Sequence, residues 1–204
     1  GEPLLLLHGN GKNKEYFAAQ LEYFSGMYRT IAIDTRGHGA SPRGNAPFTL
    51  EQFAYDIHDF MDEQGIDCAH MLGFSDGGNI ALLFALRWPD RLRSLILNGA
   101  NLFPLGMKPG IWLSVAELLR LMALQPHIEP AQLGSLNVPT LVIAGTHDMI
   151  RDSHTRLIYS SLPNAELAII PGDHFLAATS PEAFNNRVAR FISAHCQARS
   201  DNAN

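Results

Sequence analysis

Gly73-Phe74-Ser75-Asp76-Gly77 closes the apolar run His70–Phe74 and leads into the helical pattern Asn79–Trp88. A serine on a sharp strand-to-helix turn has its hydroxyl pushed out at the sheet edge. Such a turn crowds its flanks, so Gly73 and Gly77 are small for steric reasons. The helix that follows offers free N–H groups and a positive dipole end to developing negative charge. The pentapeptide alone is moderately specific. Its strand–turn–helix setting is what points to a nucleophile at Ser75.

Five further apolar runs share the character of His70–Phe74: Leu4–Leu7, Thr30–Ile33, Ser94–Leu97, Thr140–Ala144 and Leu167–Ile170. Near-continuous apolar runs of this length read as strands covered on both faces. Helical patterns separate them. Thr49 caps a predicted helix with the apolar face Phe53, Ala54, Ile57, Phe60 and Met61, which Gly65 ends. Pro89 stops the helix of Asn79–Trp88, and Ser180-Pro181-Glu182 starts the last one, whose stripe is Phe184, Val188, Phe191 and Ile192. This alternation implies an α/β fold, a mostly parallel sheet flanked by helices on both faces, in one domain over 1–204. Right-handed crossovers then bring every loop that follows a strand to one edge, where ligands sit. Residues 101–139 break the rhythm. They carry no strand signal and read as a short helical lid inserted after the fourth strand, with the run Ile111–Leu124 apolar nearly all round.

A serine hydroxyl is a weak nucleophile until an imidazole accepts its proton. Of nine histidines, His174 lies in the loop just past the last strand, on the expected edge with Ser75. His8 and His147 also follow strands, but His8 is expected to brace the turn at Gly9. His38 lies in a Gly-rich turn, and His58, His70, His127, His154 and His195 read as structural. The imidazole in turn needs a carboxylate to orient it. Asp148 follows the strand Thr140–Ala144. Asp173 is adjacent to His174 in sequence and so poorly placed to face its ring, and Asp34 is expected to tie down a turn. An oxyanion would need backbone donors. The amide of Asn10, beyond Gly9, and the amide of Asp76 are the candidates, each typically worth roughly 3–4 kcal/mol in the transition state.

Composition narrows the partners. The 204 residues are 46% hydrophobic and 17% charged, with 15 basic and 20 acidic side chains giving a formal charge of −5. The apolar fraction excludes a disordered chain, and the negative balance argues against a nucleic-acid partner. The run Leu4–Leu7 is far too short to span a membrane. Cys68 and Cys196 form neither a disulfide framework nor a metal-ligand spacing, which suggests a reducing, cytoplasmic interior. No metal or organic cofactor is expected, and a homo-oligomer stays open. The chain starts on a strand with no lead-in, which reads as a cut front end.

The motifs together resemble the α/β-hydrolase superfamily: Leu4–Asn10, Asp34–Ser41, Gly73–Gly78, Gly145–Asp148 and Gly172–Phe175. The order Ser75, Asp148, His174 is that of these enzymes. The resemblance implies Ser75 as nucleophile, His174 as base, Asp148 as acid, and the Asn10 and Asp76 amides as oxyanion donors. It also implies two antiparallel strands ahead of the first one here, so that Thr30–Ile33 is expected at an exposed sheet edge. The lid is expected to supply apolar walls, Phe103, Met107, Trp112 and Leu113, with Phe74 and Phe175 lining the pocket. No basic cluster adjoins the motifs in sequence, so the expected substrate is a small-to-medium apolar carboxylic ester. Carbon–carbon bond hydrolysis or cofactor-free haloperoxidation by the same triad is the alternative. A low-turnover binding protein on a hydrolase scaffold is the alternative from another class. Ser at position 75 argues against the haloalkane dehalogenases and epoxide hydrolases, which need a carboxylate there.

Overall fold

The computed structural model describes residues 1–106 and 124–201. Its sheet contains β1 (Pro3–Leu7), β2 (Arg29–Ile33), β3 (Ala69–Phe74), β4 (Leu92–Asn98), β5 (Thr140–Gly145) and β6 (Ala165–Ile170). All pairings are parallel and the spatial order is β2-β1-β3-β4-β5-β6. Each predicted apolar run is a strand. Among the described residues β2 pairs only with β1, at the sheet edge expected for Thr30–Ile33, and none of its residues is fully buried.

Side-chain alternation along the strands creates two cores. Leu5, Leu7, Met71, Leu95, Leu97 and Val142 face helices α2 (Leu50–Glu63) and α3 (Asp76–Arg87). Leu4, Leu6, Leu72, Ile96, Leu141 and Ile143 face the other way, against Phe17, Phe24 of α1 (Ala18–Phe24) and the stripe Phe184, Val188, Phe191 and Ile192. The four leucines of β1 are completely buried. Each contributes roughly 1.5–3 kcal/mol of burial, which holds β1 rigid beneath the loop at Gly9 and Asn10.

The helix signals act as read. The Thr49 side chain accepts from the Gln52 amide at 3.1 Å, and Gly65 adopts φ +61 just past the end of α2. Phe60 is half-buried, where the pattern placed it in the core. α3 starts at Asp76, three residues ahead of the predicted start. A side chain at Gly77 would collide with the Leu7 carbonyl, so glycine lets the helix begin directly against β1. Later helices are α4 (Pro130–Leu133), α5 (Asp152–Ser161), α6 (Leu176–Thr179) and α7 (Pro181–Asp201).

The two ends of the 101–139 segment meet. The Ile128 amide donates to the Leu102 carbonyl at 2.8 Å, and the Leu50 amide donates to Gln125 Oε1 at 2.8 Å. Met107, Trp112, Leu113 and most of the predicted lid helix lie outside the described residues. Leu102 is pinned from below by His154 of α5, whose Nε2 accepts the Leu102 N–H at 2.9 Å. The Phe103 ring meets the His154 ring edge-on at 4.5 Å. Accepting through Nε2 requires a neutral ring, or at least a bare Nε2. Burial, with help from the charge of Arg151, pushes its pKa down to about 4.

His154 is thus neutral in the fold at pH values where the unfolded chain would protonate it. Its contribution is full above about pH 6.5 and is lost as pH falls toward 4. Thermal denaturation of wild type and His154→Gln, run from pH 7 to 4.5, should show the wild-type advantage narrowing with acidity. A pH-independent difference would contradict this assignment.

Candidate active site

The carboxyl ends of five strands gather the predicted residues. Ser75 follows β3 with φ 53 and ψ −120, the one non-glycine residue with positive φ among the described residues. This conformation costs of order 1–3 kcal/mol and persists only where surroundings enforce it. Ser75 N–H donates to the Asn98 carbonyl at 2.8 Å, and Ser75 carbonyl accepts the Asn79 amide at 3.1 Å. The serine is therefore tied to the end of β4 and to the first turn of α3.

Glycines make room around it. A Cβ on Gly9 would lie 2.9 Å from the Ser75 Cβ. One on Gly73 would strike the Gly77 carbonyl. Gly99, with φ +62, lies against the imidazole of His174, where a Cβ would sit 2.6 Å from Cε1. Since Asn98 holds the Ser75 amide and Gly99 touches His174, the end of β4 brings these two residues to one place.

His174 Nδ1 lies 2.7 Å from Asp148 Oδ1, and both residues are buried. An ionised carboxylate only accepts, so Nδ1 carries the proton and Nε2 keeps a free lone pair. Asp148 also accepts the Ile150 amide at 2.9 Å and the Gly145 amide at 3.3 Å. Burial pushes its pKa up. The hydrogen bond from His174, the imidazole's charge and the two amides outweigh burial and hold the carboxyl below its usual value. The two loops are stitched together by His147 N–H to the Gly172 carbonyl, 2.9 Å, and Thr146 N–H to the Ile170 carbonyl, 3.0 Å.

The residues set aside in the sequence are occupied elsewhere. Asp173 accepts from the Phe175 amide and the Thr179 hydroxyl and so ties down the turn that leads into α6. Asp34 accepts the Lys14 and Ala40 amides. His8 takes the Thr35 amide on Nε2 and braces the turn, as expected. Asn10 and Asp76, the proposed oxyanion donors, are joined through their side chains at 3.0 Å.

Phe74 is only 1% exposed. Its ring is stacked on Tyr16 at 4.4 Å and lies 4.9 Å from the His174 ring. The ring therefore supports His174 from within the core and offers no open wall in this structure. Phe175 is half-buried beside His174, with Lys12 Nζ 5.2 Å from its ring centre. A cation, Lys12, which follows the Gly9–Gly11 turn in sequence, thus stands beside the site. Phe103 packs on His154, at the entry to the lid segment. The sequence reading missed Tyr16 and Gly99. Tyr16 carries no motif, whereas the dipeptide Asn98-Gly99 at a strand end was a usable signal. Among the described residues no group of three or more His, Cys, Asp or Glu could hold a metal, and no helix is long and apolar enough to cross a membrane.

Residues 2–124 match the family model described as alpha/beta hydrolase fold. The chain belongs to this family. A relative from Caulobacter sp. (strain K31), named "Putative carbamate hydrolase RutD", is 30% identical over 94% of this chain and 91% of its own length. The 3-oxoadipate enol-lactonase 2 of Acinetobacter baylyi is 24% identical over 91% of this chain and 86% of its own. The solved meta-cleavage product hydrolase of Pseudomonas fluorescens IP01 superimposes with TM-score 0.83 at 20% identity, covering 95% of this chain and 91% of that one. The protein is accordingly an α/β hydrolase with a six-stranded parallel sheet.

Gly99→Ala should push the His174 ring aside and slow fluorophosphonate labelling of the protein at least ~10-fold, since sub-ångström misplacement is costly in such sites. Gly65→Ala bears the same positive φ with open space around it. It should lose a similar amount of stability and label at the wild-type rate. Equal labelling of both variants would refute the steric role of Gly99.

Proposed function

We propose that this protein is a serine hydrolase that cleaves a small-to-medium apolar carboxylic ester through an acyl-enzyme. The Asp148–His174 hydrogen bond at 2.7 Å carries the reading, because it fixes the tautomer in which Nε2 is free to accept a proton. In this reading Ser75 Oγ attacks the carbonyl carbon while His174 Nε2 takes its proton. The oxyanion is held by the amides of Asn10 and Asp76. His174 then protonates the leaving alkoxide, and water, deprotonated by the same nitrogen, releases the acid. Asp148 stabilises the imidazolium and stays ionised, in keeping with its lowered pKa. Among the described residues the apolar lining would come from Phe103 and Phe175.

The names of the relatives widen the range of acyl groups. A carbamate and an enol-lactone, like an ester, present a carbonyl with a heteroatom leaving group, and one triad serves all three. Carbon–carbon hydrolysis has a fold-level neighbour only.

Ser75→Ala should abolish hydrolysis of p-nitrophenyl butyrate, and Asp148→Asn should lower kcat by about 10⁴. Comparison of p-nitrophenyl butyrate, a p-nitrophenyl carbamate, a lactone and a vinylogous diketone should give the ester the largest kcat/KM. Retained turnover by Ser75→Ala would refute the nucleophile. Absence of both turnover and fluorophosphonate labelling in the wild type would favour a binding protein instead.

A further inference from the structure

Asp76 is 7% exposed, an expensive place for a carboxylate. At the first position of α3 its charge complements the helix dipole, but an exposed side chain would do that equally well. Its oxygens are instead used inward. Oδ2 accepts from Asn10 Nδ2 at 3.0 Å and Oδ1 from Asn79 Nδ2 at 3.3 Å. Asn79, completely buried, cannot turn its amide over. Its Nδ2 also donates to Asn101 Oδ1 at 3.1 Å, and its Oδ1 accepts the Asn101 amide at 2.8 Å. Asn101 Nδ2 in turn donates to the Phe103 carbonyl at 3.1 Å. The chain of bonds runs from the loop after β1, across the start of α3, to the entry of the lid segment.

Asn10 and Asp76 belong to segments far apart in sequence, yet an oxyanion hole needs their two main-chain amides at one fixed separation. The ionised carboxylate accepts on both oxygens and donates nothing, so it suits two amide donors. We propose that Asp76 is a positioning residue whose carboxylate fixes the separation of the two oxyanion amides and locks them to the Asn79–Asn101 pair. This rests on the serine-hydrolase reading above.

The test uses the full chain at pH 8 with p-nitrophenyl butyrate and an aliphatic trifluoromethyl ketone, which adds to a nucleophilic serine and leaves an oxyanion. Asn10→Ala and Asp76→Ala should each lower kcat by about 10- to 100-fold, with KM within about 3-fold. Ketone affinity should fall by a similar factor. The double variant should be no worse than the worse single one. Asp76→Asn, which keeps an acceptor for Asn10, should recover part of the loss. Should Asp76→Ala fail to fold, Asn10→Ala decides, since it removes only a half-buried loop side chain. A kcat within 2-fold of wild type, or a lowered kcat with unchanged ketone affinity, would overturn the inference. If Ser75→Ala is inactive in either case, the hydrolase reading stands and only the role of Asp76 falls. Turnover by Ser75→Ala would remove both.

Discussion

Between β3 and α3 the chain reverses within a single residue, and Ser75 sits there at φ 53. Everything close to the site answers to that turn. It can form only if nothing larger than hydrogen occupies position 77 against β1, position 73 beneath the helix, and position 9 against the serine Cβ. The strain, of order 1–3 kcal/mol, is small against a core in which β1 is buried to the last leucine. Rigid strands on either side make the turn possible, and the turn aims a hydroxyl at the edge where four other loops end.

Two buried carboxylates flank this point, and their surroundings drive them in opposite directions. Asp148 is surrounded by donors, one of them an imidazole, and its pKa falls despite burial. Asp76 has two side-chain amides and no cation in hydrogen-bond contact, so burial dominates and its pKa rises to about 6. At neutral pH both are ionised. Asp148 then accepts the Nδ1–H of His174, while Asp76 accepts the side-chain amides of Asn10 and Asn79. Between about pH 4 and 6 the folded chain binds more protons at Asp76 than the unfolded chain does. Its own contribution to stability therefore weakens as pH rises through that window. A carboxylate that lowers stability at working pH fits a role in placing other groups better than a role in holding the fold.

The six strands were legible because parallel strands buried on both faces leave uninterrupted apolar runs. α2 was legible because Thr49 and Gly65 mark its ends with distinct chemistry. That Ser75, Asp148 and His174 lie at one sheet edge was legible because each stands just past a strand, and the topology sends such positions there. The reasons for Gly99 and Tyr16 were hidden. Their roles depend on neighbours contributed by β6's loop and by β3, and no local spacing encodes a contact between distant loops. Phe74 shows the same limit. Its place beside Ser75 suggested a pocket wall, yet side-chain alternation in β3 turns it into the core with Leu72. Lys12 is a counterpart at the surface, distant in sequence from Phe175 but within 5.2 Å of its ring.

Residues 101 and 102, just past β4, are held through polar groups as well as apolar packing. Leu102 is held by His154 on its amide and by Ile128 on its carbonyl, while Asn101 is held by Asn79 one turn beyond Ser75. Residues 101 and 102 are consequently fixed to three different elements: α3, α5 and the returning chain. A continuous path of hydrogen bonds runs from Asn101 through Asn79 to the Asp76 carboxylate. His154 accepts the Leu102 N–H only while Nε2 is unprotonated, so this contact is lost as pH falls toward 4.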